Sequence, residues 1–135
     1  MRPRLVVAVA VGGALGALAR HLLSVAFPDT STAFPWTTFG INVAGSFLLA
    51  LLPALAAVRR HDLLPPLLGT GVLGGFTTLS TYAEQTRALT ASGHATTGAL
   101  YVAGTLAACL VAVALADRLS TVAQRREFEA EEGDL

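Results

Sequence analysis

The sequence predicts an all-α integral membrane protein of four spanning helices, the third broken at its centre. Three observations predict it. The chain of 135 residues is 53% hydrophobic and only 13% charged, a composition suited to lipid as solvent. Its apolar residues gather into four stretches, each meeting the roughly 20 residues that a spanning helix needs. Within residues 68–82, glycines at 69, 71, 74 and 75 are followed by hydroxyls at Thr77, Thr78, Ser80 and Thr81. Glycine loosens a helix and hydroxyls compete for its backbone bonds. In lipid, backbone that leaves helical geometry survives only when buried in protein or lining a wet cavity. The stretch therefore reads as a broken helix that turns carbonyls and hydroxyls toward something polar, such as an ion.

Helices are expected at about 4–27, 35–58, 63–89 and 95–121. The first apolar stretch, from Leu5 to Phe27, is interrupted by Arg20 and His21. Its start also fits a cleavable signal peptide, with Arg2 and Arg4 ahead of an apolar run ending at Ala17-Leu18-Ala19. Against that, the run stays apolar to Phe27. The second stretch, Thr30 to Val58, has no charge, and neither has Leu63 to Ala83 nor Ala95 to Ala116. Short linkers separate them: one opened by Pro28-Asp29, then Arg59-Arg60-His61-Asp62, then Ala91-Ser92-Gly93-His94. Residues 1–123 thus form one unit, and 124–135 a charged tail expected to be solvated and disordered.

Charge gives orientation. All nine basic residues are arginine. Four crossings place Arg2, Arg4, Arg59, Arg60, Arg118, Arg125 and Arg126 on one side, and Arg20 and Arg87 near the other. The positive-inside rule then puts both termini in the cytoplasm of a bacterial inner membrane. The net charge of zero suggests no nucleic-acid partner. The single cysteine, Cys109, excludes an internal disulfide. No nucleophile–base pair, phosphate loop or metal-ligand cluster points to an enzyme. His21, His61 and His94 are scattered near helix ends.

Some residues stand out on physical grounds. Asn42 is an uncharged polar residue near mid-membrane, expensive there unless it serves a partner. Tyr101, Thr105 and Cys109 recur every four residues on one helix face. Glu84 and Arg87 have the spacing of a helical ion pair. Small residues Gly12, Gly13, Gly16 and Ala17, and Gly40, Ala44, Gly45 and Ser46, suit close helix packing.

Three segments carry a resemblance. Gly12-Gly13-Ala14-Leu15-Gly16-Ala17-Leu18-Ala19-Arg20 resembles GGxxGAxxR. Thr38 to Phe47 resembles TxxxNxxGSF, and Gly74 to Tyr82 resembles GGxTTFSTF. In this order, in a chain of this length, they resemble the Fluc (CrcB) fluoride channels. The resemblance covers nearly the whole chain apart from the tail. It implies an antiparallel dimer with two fluoride pores, passive export of cytoplasmic fluoride, and a structural sodium ion (Na+) at the dimer interface. The sodium ligands would be the backbone carbonyls of Gly74 and Thr77. The fluoride pathway would involve Arg20, Thr38, Asn42, Leu79, Ser80, Thr81, Tyr82, Tyr101, Thr105 and Cys109. Fluoride sheds water at great cost, so it needs such amide and hydroxyl donors.

The chain departs from the pattern where the family carries two pore phenylalanines. Here they are Leu79 and Tyr82. Leucine lacks the positive ring edge that faces an anion. Cys109 stands where serine is usual. Together with the arginine bias, seven against two, these departures suggest one half of a heterodimer with a paralogous subunit of opposite bias. A non-conducting assembly subunit is an alternative. A small multidrug-type transporter fits less well, because the first helix has no carboxylate to couple protons.

Overall fold

The computed structural model describes residues 3–133, with all their side chains except those of Arg59 and residues 122–133. Arg2, the Arg59 side chain and the charged side chains of the tail, on which part of the orientation reading rests, lie outside the described residues. Among the described residues all regular structure is helical. Helix α1 is Pro3–Ala26 and α2 is Trp36–Leu51, which tightens into a 3₁₀ turn, Leu52–Ala54. A short α3, Ala56–Arg59, follows. Helix α4 comprises a π-helical stretch, Pro66–Leu73, and a closing turn, Gly74–Phe76. Then come α5, Leu79–Ala91, and α6, Ala95–Gly133.

Three of these are long and apolar enough to cross a membrane: Pro3–Ala26, Trp36–Ala54 and Ala95–Thr121. Their apolar side chains face outward. Val7, Leu15, Leu22, Leu106 and Leu110 are each more than half exposed. A water-soluble fold would bury such a surface.

Two expected boundaries change. The helix expected over 35–58 gives way at Pro53, because proline has no N–H for the ladder. Leu55 is extended, with φ −81° and ψ 110°. At the other end α6 runs on to Gly133, through the stretch read from its charge as a disordered extension. Alanine, glutamine, arginine and glutamate, which dominate that stretch, are strong helix formers.

The π geometry of α4 follows from its glycines. The Gly74 N–H reaches back five residues to the Gly69 carbonyl, a wider turn of the kind found at functional sites. The same glycines bring α4 onto α1. Gly12 and Gly16 are the buried residues of α1. A methyl group added at Gly16 would land on the Val72 carbonyl oxygen, and one at Gly75 on the Gly13 carbonyl oxygen. The two backbones touch directly, with no side chain between them. Helix α6 packs on α2 and α5, completing the bundle.

Gly16→Ala and Gly40→Ala should therefore part company. Overpacking costs about 1–3 kcal/mol, and a backbone carbonyl has no rotamer to move, so Gly16→Ala should lower the melting temperature in detergent. Nothing lies within 4 Å of a methyl group at Gly40. There the helix propensity gain of about 1 kcal/mol should hold or raise stability.

Candidate functional site

Between α4 and α5 the backbone leaves helical geometry for two residues. Thr77 has φ −74° and ψ 157°, and Thr78 has φ −148° and ψ 120°. Both are β-branched and suit extended backbone. Such an interruption strands carbonyls on one side and N–H groups on the other. The structure assigns several of them new partners.

Asn42 of α2 clasps Thr78 from both sides. Its Oδ1 accepts the Thr78 N–H at 2.9 Å, and its Nδ2 donates to the Thr78 carbonyl at 3.1 Å. Thr78 caps α5, its Oγ1 accepting the Thr81 N–H at 3.1 Å. Arg20 of α1 donates from Nε to the Gly75 carbonyl at 3.2 Å. Both the N–H and the hydroxyl of Thr77 donate to the Leu73 carbonyl, at 3.0 and 2.9 Å.

This reassignment changes two carbonyls in particular. In a continuous helix the Thr78 N–H would close on Gly74, and the Thr81 N–H on Thr77. Those N–H groups go instead to Asn42 Oδ1 and Thr78 Oγ1. The carbonyls of Gly74 and Thr77 have lost their ordinary helical donors. Gly74 is also exposed.

Beside the interruption lies an open cavity of about 310 Å³. Its wall brings together Asn42, Leu79, Tyr82, Thr105 and Cys109, all expected in the pathway, with Thr77. Thr105 has an unusual standing here. Several other helical hydroxyls bond back to the carbonyl four residues earlier: Ser24, Thr86, Thr90 and Ser120 do so. The Thr105 side chain does not. It is 5% exposed, and its Oγ1 has no hydrogen-bond partner. An unmade bond at a buried hydroxyl costs about 1–3 kcal/mol. Asn42, with one N–H on Thr78, retains a second amide hydrogen.

Other expected residues lie elsewhere. Thr38 and Tyr101 belong to a separate polar network around Asp29. The Asp29 carboxylate accepts the N–H groups of Thr37 and Thr38 at 3.0 and 3.1 Å and the Thr38 hydroxyl at 3.0 Å. It thereby caps α2, whose preceding Pro35 offers no capping side chain. Gln85 donates to Asp29 at 3.2 Å and accepts from the fully buried Tyr101 hydroxyl at 2.8 Å. The Tyr101 ring packs at a tilt against Tyr82, centroids 5.0 Å apart, and meets Phe34 edge-on at 5.3 Å. Arg20 sits on the Gly75 carbonyl. Ser80 is exposed, with its hydroxyl 3.4 Å from that of Thr78, and the Thr81 hydroxyl accepts from Thr78 at 3.0 Å. Glu84 and Arg87 pair as their spacing suggests, at 2.6 Å, but fully in the open, where such a pair adds little stability.

Sequence reasoning did not count among the site residues five that matter here. Thr78 has a signal, since a threonine three residues before the Thr81 N–H it accepts follows the pattern of a helix N-cap. Ser46 and Leu106 join the cavity wall, and Ser46 stands one turn from Asn42. Asp29 and Gln85 meet across 56 positions of sequence, and nothing local marks that pairing.

Comparison with known proteins gives a consistent picture. The family described as CrcB-like protein, camphor resistance (CrcB), matches residues 7–116. A relative from Streptomyces coelicolor, named fluoride-specific ion channel FluC 1, is 47% identical over 113 residues, covering 82% of this chain and 73% of the relative. One from Nocardia farcinica, named fluoride-specific ion channel FluC 2, is 43% identical over 129 residues, covering 92% of each. A third, fluoride-specific ion channel FluC from Chlorobaculum tepidum, is 43% identical over 121 residues, covering 84% and 94%.

If Asn42 holds the interruption together, Asn42→Leu should strand both polar groups of Thr78. The expected loss is about 2 kcal/mol, at about 1–3 kcal/mol for each unsatisfied group with partial hydration from the cavity. Thermal unfolding in detergent, or faster hydrogen exchange at Thr78, reads it.

Proposed function

The chain belongs to the CrcB-like family, and on that premise we propose that it is a subunit of a fluoride-selective passive channel that exports cytoplasmic fluoride. The observation that carries this reading is the orphaned Thr105 hydroxyl in the wall of a cavity that also holds Asn42. A buried donor without a partner is costly, and it is justified where a passing ion supplies the missing acceptor. Fluoride, small and strongly hydrated, exchanges water for such donors. Selectivity then rests on the width of the path and the placement of its donors. Conduction needs no coupled energy source, and the reading involves no catalysis.

The working unit on this reading is an antiparallel dimer of four-crossing subunits. The segments α4 and α5 together make one interrupted crossing, and the arginine bias puts both termini in the cytoplasm of the inner membrane. Sodium fits between two such subunits. A hard cation takes oxygen ligands, and the carbonyls of Gly74 and Thr77 are among those the interruption leaves without helical donors. Each chain supplies two oxygens, so an inverted partner doubles the set. Sodium's contribution is fixed positive charge at that junction.

Leu79, 78% exposed at the edge of the cavity, favours the paired version of this reading. It offers an anion no ring edge, so a paralogous subunit with an aromatic residue there would complete a pore. Expression of the chain alone and with such a paralogue tests this. Co-expression should restore fluoride efflux from loaded liposomes, and strong efflux from the chain alone would remove the need for a paralogue. If the pair too is silent, the chain is an assembly subunit.

Thr105→Val separates conduction from folding. Removing an unpartnered buried hydroxyl should leave the melting temperature unchanged or raise it. Fluoride efflux of the conducting dimer should fall at least tenfold. A stable variant with undiminished efflux would take Thr105 out of the path.

A further inference from the structure

Asp29, in the loop between α1 and α2, is half-buried and gathers donors from two helices. Thr37 and Thr38 of α2 give it two N–H groups and a hydroxyl, and Gln85 of α5 gives it an amide hydrogen. The chemistry of these partners fixes the direction of each hydrogen in the line. A carboxylate can only accept. The nitrogen end of the Gln85 amide therefore faces Asp29, and its oxygen end faces the Tyr101 hydroxyl. Tyr101 has one hydroxyl hydrogen, and that oxygen claims it. The Thr38 hydroxyl spends its own hydrogen on Asp29. Both side chains are buried, at 3% and 0% exposure. Their places matter. Thr38 precedes Asn42 by one turn of α2, and Tyr101 precedes Thr105 by one turn of α6. Asn42 and Thr105 line the cavity, as does Tyr82, whose ring packs against Tyr101. Thr38 and Tyr101 thus stand one turn beyond the cavity, on the side of the Asp29 loop.

We propose that Asp29, acting through Gln85, is a positioning residue that draws the hydroxyl hydrogens of Thr38 and Tyr101 away from a passing anion and so limits the rate of permeation. The proposal rests on the channel reading above. An ion that must shed water meets a barrier wherever donors are lacking. Asp29 touches no ion itself, and its effect travels as the polarity of a hydrogen-bonded line. A neutral side chain of the same shape reverses that line. In Asp29→Asn the amide oxygen still accepts an N–H of α2, while the amide nitrogen donates to Gln85. Gln85 then turns its amide over, its nitrogen donates to the Tyr101 oxygen, and the Tyr101 hydrogen is released. Asparagine caps a helix about as well as aspartate, so α2 keeps its start.

The test uses the full chain in liposomes, with its partner subunit if efflux requires one. Asp29→Asn should raise fluoride efflux at least threefold and keep a cooperative melting transition in detergent. Gln85→Met removes the acceptor of the Tyr101 hydrogen and leaves the Asp29 charge in place, and it should raise efflux as well. Adding Tyr101→Phe to Gln85→Met should cancel that gain, because the released hydrogen is gone. The infrared C–O stretch of the Tyr101 ring, assigned by its loss in Tyr101→Phe, distinguishes a hydroxyl that donates from one that accepts. It should report a donor in the unaltered chain and an acceptor in Asp29→Asn. A gain in Asp29→Asn with none in Gln85→Met would assign the effect to charge and overturn the proposal. So would a gain that survives Tyr101→Phe, a fall of efflux in both single variants, or an infrared signal that does not shift. Efflux of the unaltered chain tests the channel reading separately. Its absence there counts against fluoride conduction, whereas the infrared signal reports the hydrogen directions alone.

Discussion

The structure depends on finding partners for the backbone groups that two extended residues strand within a helical bundle. Thr77 and Thr78 interrupt the helical ladder, and in hydrocarbon each unpaired backbone group costs several kcal/mol. Two helices and the break itself contribute to the repair. Asn42 from α2 clasps both sides of the Thr78 peptide unit, Arg20 from α1 takes the Gly75 carbonyl, and Thr78 caps α5 with its own side chain. Remove the interruption and these polar residues lose their reason to face inward. Remove the polar residues and the interruption becomes too costly to keep.

Close backbone packing is the second condition. Arg20 reaches Gly75 because α1 and α4 touch without intervening side chains, as the positions of Gly16 and Gly75 require. A wider separation would leave that carbonyl unpaired and the guanidinium reaching elsewhere. The glycines therefore serve the polar arrangement as well as packing. They also lie in the stretch where α4 widens into π geometry, which gives way to a short α-helical turn before Thr77.

Much of this was legible in the chain. The apolar stretches gave the long helices, and the glycine and hydroxyl cluster lies where the backbone becomes extended. Asn42 stood out because polarity near mid-membrane demands a partner. Its partner was not legible, since Asn42 and Thr78 are 36 positions apart. The face formed by Tyr101, Thr105 and Cys109 was legible only in part. A four-residue step advances about 40° around a helix, so the three residues drift apart on the wheel. Tyr101 turns to Gln85, while Thr105 and Cys109 reach the cavity. The partner of Thr38 was not legible either, because local pattern does not reveal that Asp29, nine positions earlier, captures its hydroxyl. The end of the second helix was a local matter, and Pro53 marked it.

On the proposed reading, the same two threonines also separate charge. Diverting the Thr78 and Thr81 N–H groups into side chains leaves carbonyl oxygens at Gly74 and Thr77, which suit a cation. The donors are gathered on the other partners, with an amide hydrogen of Asn42 and the Thr105 hydroxyl beside the cavity. A continuous helix cannot make this division, because every donor is consumed by an acceptor four residues away. An anion path and a cation site can then adjoin without either ion competing for the other's ligands. Asn42 is the hinge of that arrangement. Its Oδ1 withdraws the hydrogen that Gly74 would have received, and its Nδ2 keeps one hydrogen beyond the Thr78 carbonyl. One side chain thus releases an acceptor toward one ion and retains a donor for the other.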